Sequence, residues 1–236
     1  MNSSVRHAWI TPLLLAAYAM GAGPASAQER SVRPGINKPY ENPNVQEQVQ
    51  RFERENREVF AKRKEIVAAC KLRPGMAVAD VGAGTGLFTR LFAAAVGPRG
   101  LVYAVDIAPK FVAHVEKTAN EAGVNNVRGV VCTPTSSKLS PDSVDLVFIC
   151  DAYHHFEYPQ KTLASIRLAL RPGGQLILVD YCRIEGKTPP WLLKHVRAGQ
   201  EVFTKEIEAT GFRVVDKAAF LKENYFVRFV KIPGDP

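Results

Sequence analysis

The stretch from Met76 to Asp106 constrains this chain more than any other. Ala77-Val78-Ala79-Asp80-Val81 is a short, mostly apolar run between Pro74-Gly75 and a cluster of glycines. Such a run predicts a strand buried in a parallel sheet. Gly82, Gly84 and Gly86 then crowd a strand-to-helix turn. Glycine suits a turn whose backbone takes unusual φ/ψ and comes close to a ligand. Leu87, Leu91 and Ala95 form one stripe of the helix that follows, with Phe88 and Phe92 beside it, and Gly97-Pro98 stops it. A second apolar run, Leu101 to Val105, ends in Asp106, an acid placed to accept two ribose hydroxyls. Strand, glycine turn, helix, strand and terminal acid predict a nucleoside-cofactor site at the carboxyl edge of a doubly wound sheet.

The spacing separates candidate ligands. Dinucleotide sites use G-x-G-x-x-G, whereas here Leu87 stands where the third glycine would be. Asp80, two residues before Gly82, would repel a pyrophosphate but suits an ammonium held through a water or a backbone group. This pattern resembles motif I of the class I S-adenosylmethionine-dependent methyltransferases, whose ligand carries a sulfonium and an α-amino group but no phosphate. The resemblance implies S-adenosylmethionine as cofactor. It implies a site built from Asp80, Gly82, Ala83, Gly84, Gly86 and Asp106, with Ile107 packing on adenine.

The resemblance covers about Arg73 to Lys231. Val127 to Val131 is the third strand. Family members usually end it in an acid for the adenine amino group; here Cys132-Thr133-Pro134 follows, and Thr133 is the candidate acceptor. Val144 to Asp151 resembles motif IV, which adds Asp151 to the cofactor set. Its exit, Tyr153-His154-His155, resembles the aromatic-histidine exit of small-molecule members such as the quinone C-methyltransferases. The Asn-Pro-Pro-Tyr or Asp-Pro-Pro-Tyr motif of base amino-methylases is absent. Leu170-Arg171-Pro172-Gly173-Gly174 resembles the family's turn after motif IV. The fold expected is a doubly wound, Rossmann-like α/β sheet of seven mostly parallel strands, with an antiparallel final strand and helices on both faces.

Methyl transfer is an in-line displacement, and much of its rate comes from positioning. A general base helps where the acceptor is a hydroxyl or an acidic carbon. His154 is the candidate base, because an imidazole titrates near neutral pH; His155 is its rival, and Tyr153 is placed to orient or stack on an acceptor. The activity expected is methyl transfer to a small-molecule O, C or N acceptor. Two other readings stand beside it: methylation of a nucleic acid or protein, and a non-catalytic exported protein that binds the cofactor or its demethylated product.

Residues 1–27 read as a secretory signal. Arg6 and His7 precede an apolar run from Leu13 to Met20, and Ala25-Ser26-Ala27 gives the small-x-small cleavage pattern. Cleavage after Ala27 would leave a periplasmic or secreted domain without a stable membrane span. Such a domain needs a supply of a cofactor made in the cytoplasm. Residues 28–71 are expected to form an extended arm and a covering helix, with Phe60 and Arg63 as the lid, and residues 72–236 the methyltransferase domain. The net charge is +8, yet no Lys/Arg run exceeds Lys62-Arg63-Lys64, so no nucleic-acid partner is expected. No pair among Cys70, Cys132, Cys150 and Cys182 has C-x-x-C spacing, so no metal site is expected. Cys150 and Cys182 should end neighbouring strands, which leaves open either a disulfide or two small buried thiols.

Overall fold

A computed structural model of the chain describes residues 28–234. The expected secretory signal, residues 1–27, lies outside the described residues. Among the described residues no helix is long and apolar enough to cross a membrane.

The expected sheet is present. Seven strands, β1 (Ala77–Val81), β2 (Leu101–Asp106), β3 (Val127–Val131), β4 (Val144–Cys150), β5 (Leu170–Tyr181), β6 (Phe212–Ala218) and β7 (Asn224–Lys231), lie in the order β3-β2-β1-β4-β5-β7-β6. The pairings among β1 to β5 are parallel, and β7 runs antiparallel to both β5 and β6. The chain order reverses between β1 and β4, and that is where an open α/β sheet opens a crevice at its carboxyl edge.

Alternation along the strands feeds a core on each face. Ala79, Val147, Ile149, Leu176 and Leu178 point to one face, covered by α6 (Pro159–Ala169) and α8 (Gln200–Glu208) through Leu163, Ile166, Phe203 and Ile207. Val78, Val102, Leu146, Phe148 and Ile177 point to the other. There α4 (Leu87–Val96) contributes Phe88 and Phe92, and α5 (Pro109–Glu121) contributes Val115 and Ala119.

The N-terminal region departs from expectation. The pattern from Val45 to Lys71 predicts one covering helix, but three pieces form: α1 (Val45–Phe52), α2 (Glu58–Ala61) and α3 (Arg63–Ala69). The break falls in Glu53-Arg54-Glu55-Asn56-Arg57, which has no apolar residue to continue a buried stripe. Side chains at its two ends instead reach distant parts of the domain. Glu53 accepts from the Thr85 hydroxyl at 2.7 Å and from the Arg90 guanidinium at 2.7 Å. Glu58 accepts the backbone N–H groups of Lys222, Glu223 and Asn224 at 2.7, 2.7 and 2.9 Å. The segment is thus strapped across the carboxyl edge. Residues 28–44 lie against the β4 exit, where the Val32 N–H donates to the Glu157 carbonyl at 2.9 Å and the Asn37 amide to the His155 carbonyl at 3.1 Å.

Candidate active site

The carboxyl ends of β1, β2, β4 and β5 open into one cavity of about 750 Å³ beneath the strap, a size usual for a small-molecule site. Its cofactor-side wall is the glycine turn. Gly82, Gly84 and Gly86 all have positive φ, at 77°, 53° and 79°. Their roles differ. A Cβ on Gly82 would lie 2.4 Å from the Ala152 Cβ, so glycine lets the β1 and β4 exits touch. A Cβ on Gly86 would lie 2.7 Å from Val115 Cγ2. Gly86 is therefore a packing residue between α4 and α5 and does not line the cavity, unlike Gly82, Ala83 and Gly84.

Asp106 is 7% exposed, and each of its oxygens accepts a backbone N–H: Gly84 at 2.9 Å and Ala108 at 2.9 Å. Those bonds aim the carboxylate along the glycine turn and leave further lone pairs for a diol. Burial raises its pKa above the ordinary carboxylate value. Ile107 and Thr133 also line the cavity, on the same side. Asp80 is 2% exposed and accepts from the Thr89 hydroxyl at 2.7 Å. Burial pushes its pKa up to about 7, and the Thr89 hydrogen bond opposes that rise.

Asp151 lines the cavity but is already engaged by the protein. Its two oxygens accept from the Arg57 guanidinium at 2.6 Å and the Asn224 amide at 2.6 Å. Arg57 also lies with its guanidinium carbon 5.1 Å from the centre of the Phe52 ring. Asp151 is thus a latch that ties the strap to the β4 exit. The lid is formed by Phe52 and Arg57, which line the cavity. Phe60 and Arg63, the expected lid, stack on each other at 4.1 Å outside it, because the helix breaks before them and turns that face away.

The β4 exit sorts the three expected catalytic residues. Tyr153 is fully buried and turned away from the cavity, into the core under α8, where its hydroxyl donates to Glu206 at 2.9 Å. Arg197 grips the same carboxylate with two bonds, at 2.7 and 2.6 Å. The expectation that Tyr153 meets the acceptor is corrected: it anchors the loop from the core side. His154, one residue on, faces the cavity and is 2% exposed. Its Nδ1 lies 2.8 Å from Asp180 Oδ1 at the end of β5. A carboxylate only accepts, so Nδ1 carries a proton, and in the neutral ring Nε2 is the nitrogen with the lone pair.

His155 also lines the cavity. Its Nε2 lies 3.2 Å from Nε2 of His195, at the end of α7 (Pro190–His195). Burial, then the neighbouring His154 and His195, push the His155 pKa down to about 2; burial and then His154 bring His195 to about 4. The sequence offers no local sign that His195 joins this cluster, 40 residues from His155. Asp180 does carry a sign, being an acid at a strand's carboxyl end like Asp80, Asp106 and Asp151. All four cysteines are free thiols; Cys150 and Cys182 are not bridged.

The chain is similar to known proteins along the same elements. Residues 79–178 match a family model described as a methyltransferase domain. The ubiquinone/menaquinone biosynthesis C-methyltransferase UbiE of Hydrogenovibrio crunogenus is 32% identical over 124 residues, covering 52% of this chain and 48% of that protein. UbiE of Marinomonas sp. is 28% identical over 126 residues, covering 53% and 50%. The match thus spans about half the length of the curated relatives. Among solved structures, an S-adenosylmethionine-dependent methyltransferase from Aquifex aeolicus superimposes with a TM-score of 0.71 at 24% identity, over 79% of this chain and 98% of that one. The [4+2]-cyclase SpnF superimposes with a TM-score of 0.63 at 16% identity, over 74% and 82%. These structural likenesses speak for the fold; the family match and the curated relatives speak for the cofactor. The residues present fit that cofactor: a backbone cradle without side chains at Gly82 and Gly84, a buried carboxylate for a diol, and a second for an ammonium. Residues 79–178 thus match a methyltransferase domain, and the match, the curated relatives and the residues present together imply S-adenosylmethionine as the cofactor.

Proposed function

We propose that the protein methylates a small molecule bound beside His154. One observation carries this reading: a single covered cavity joins Asp80, Gly84 and Asp106 at one end to the His154–Asp180 pair and the Trp191 region at the other. S-adenosylmethionine supplies an electrophilic methyl group on a sulfonium. Asp106 is the residue proposed to hold the ribose, Asp80 the amino group, and Ile107 with Thr133 the adenine. Phe52 and Arg57 exclude water over the turn, and the Arg57–Asp151 latch holds them there. The His154 Nε2 lone pair is directed at the acceptor end, where it removes a proton from a hydroxyl or an acidic carbon.

The strap and arm narrow the entrance, which favours a small acceptor over a nucleic acid or a folded protein. Phe156, Ile184, Leu192 and the exposed Trp191 give the acceptor end an apolar lining, suited to a flat, oxygen-bearing ring. The names of the UbiE relatives attach C-methylation in quinone biosynthesis to those proteins, and that supports an aromatic acceptor here. The test has two parts. Calorimetry with S-adenosylhomocysteine should show a single site, and a panel of phenols, hydroquinones and thiols should give turnover with at least one class. A protein that binds the product with no turnover on any class would instead be the non-catalytic binder. We propose, from residues 1–27, that the domain works outside the cytoplasm; sequencing of the mature N-terminus should begin at Gln28, and recovery of the intact chain in the cytosolic fraction would refute export.

A further inference from the structure

We propose that His154, His155 and His195 bind a divalent transition-metal ion of the zinc, iron or nickel type at the acceptor end of the cavity. Each of the three offers one ring nitrogen, and these nitrogens all lie within 4.8 Å of one another. The rings converge, with centroids 4.5, 5.1 and 5.0 Å apart. One of the three pairs already has the spacing of a formed site, and the third ring lies within reach of it. Two nitrogens each about 2.0–2.1 Å from a tetrahedral ion sit about 3.3 Å apart. His155 Nε2 and His195 Nε2 are 3.2 Å apart.

The surroundings of His154 point the same way. His154 has the arrangement expected of a ligand, with Nδ1 on the buried Asp180, which leaves Nε2 as the nitrogen available to an ion. A carboxylate behind a ligating imidazole sets its tautomer and raises its basicity. Asp180 is itself held, accepting the backbone N–H groups of His154 at 3.3 Å and Tyr181 at 2.8 Å. Three neutral nitrogens with a position left open is the ligand set of a catalytic rather than a structural ion.

The binding claim stands on this geometry alone; its role rests on the methyltransferase reading. An oxygen or sulfur of the acceptor would replace water as the fourth ligand. The ion lowers that group's pKa, its proton leaves to solvent, and the resulting anion is held at the cavity's acceptor end. His154 Nε2 is then a ligand and no longer the base. The acceptor class becomes a hydroxyl or a thiol.

Untagged protein is stripped with a chelator, equilibrated with zinc alone, desalted and assayed for bound metal. Cobalt, added in place of zinc, reports coordination by visible absorption. We expect one equivalent of zinc in the wild type and at least a roughly 100-fold loss of affinity in His155→Ala and in His195→Ala. Asp180→Asn should weaken binding by about 10–100-fold through His154. S-adenosylhomocysteine calorimetry on the same samples shows that each variant is folded. Zinc lost on desalting from the wild type, or retained equally by both histidine variants, overturns the site. Zinc bound by a protein that binds no S-adenosylhomocysteine would leave the ion site standing and defeat the methyltransferase reading; the reverse result would do the opposite.

Discussion

Replacing Asp106 by Asn tests the cofactor end of the cavity most directly. The two carboxylate oxygens each face a backbone N–H, from Gly84 and Ala108, both at 2.9 Å. An amide keeps the shape but has one acceptor oxygen. Its NH₂ must oppose one of those N–H donors, leaving a buried donor unpaired at a cost of about 1–3 kcal/mol. On a domain of this size that lowers the melting temperature by about 2–4 °C per kcal/mol. The ribose loses more. One hydrogen bond to a charged oxygen disappears, worth ~1.5–3 kcal/mol, and the other becomes a neutral bond, weaker by ~1 kcal/mol. The sum, ~2.5–4 kcal/mol, predicts a Kd for S-adenosylhomocysteine raised by about 10²–10³-fold. Titration calorimetry measures the affinity, and circular dichroism confirms the fold. A folded variant that binds within roughly threefold of the wild type would show that Asp106 does not hold the diol.

Other perturbations separate site from scaffold. Asp80 has a folded-state pKa of about 7 against an ordinary 3.8. The folded state therefore binds the proton more tightly than the unfolded chain, and Asp80's contribution makes stability fall as pH rises from about 4 to about 7 and level off above. The full effect is about 4 kcal/mol at most; Asp80→Asn should flatten that part of the melting-temperature profile, and an unchanged pH slope would refute the shift. Arg57→Met breaks a largely buried pair and leaves Asp151 with Asn224 alone; a stability loss approaching about 3 kcal/mol and faster product release are expected, and stopped-flow release at the wild-type rate would show that the latch holds no lid. Gly86→Ala combines a positive φ with a Cβ 2.7 Å from Val115, so thermal melting should reveal a loss of about 1–3 kcal/mol with little change in the affinity of the remaining folded protein. Tyr153→Phe removes the bond to Glu206 and should lower stability by about 1 kcal/mol with kcat nearly unchanged; a collapse of kcat in a stable variant would return Tyr153 to the chemistry.

The sequence by itself determined the central layer. Apolar runs that end in an acid, and glycines where no side chain fits, are local facts, and β1, β2, Gly82, Gly84 and Asp106 follow from them without knowledge of distant partners. The doubly wound class of the sheet came with the resemblance those residues carry, whereas the order β3-β2-β1-β4-β5-β7-β6 was decided by the tertiary structure. Some glycine roles did not follow. The spacing that marks Gly86 is equally good for holding a ligand or for admitting Val115, and only the packing of α4 on α5 selected the second. Tyr153 and His154 are neighbours in the chain, yet the 3₁₀ turn over Tyr153–His155 sends one ring into the core and the other into the cavity. Helical spacing points to Phe60 and Arg63 rather than Phe52 and Arg57 for the lid, because it cannot show that Glu53 and Glu58 are each held by segments far along the chain. The histidine cluster belongs to tertiary structure in the same sense. His195 comes from a helix after β5, and only the closing of that segment over the β4 exit brings its ring nitrogen within bonding distance of His155, since short-range patterning carries no information about which loops meet at a sheet edge.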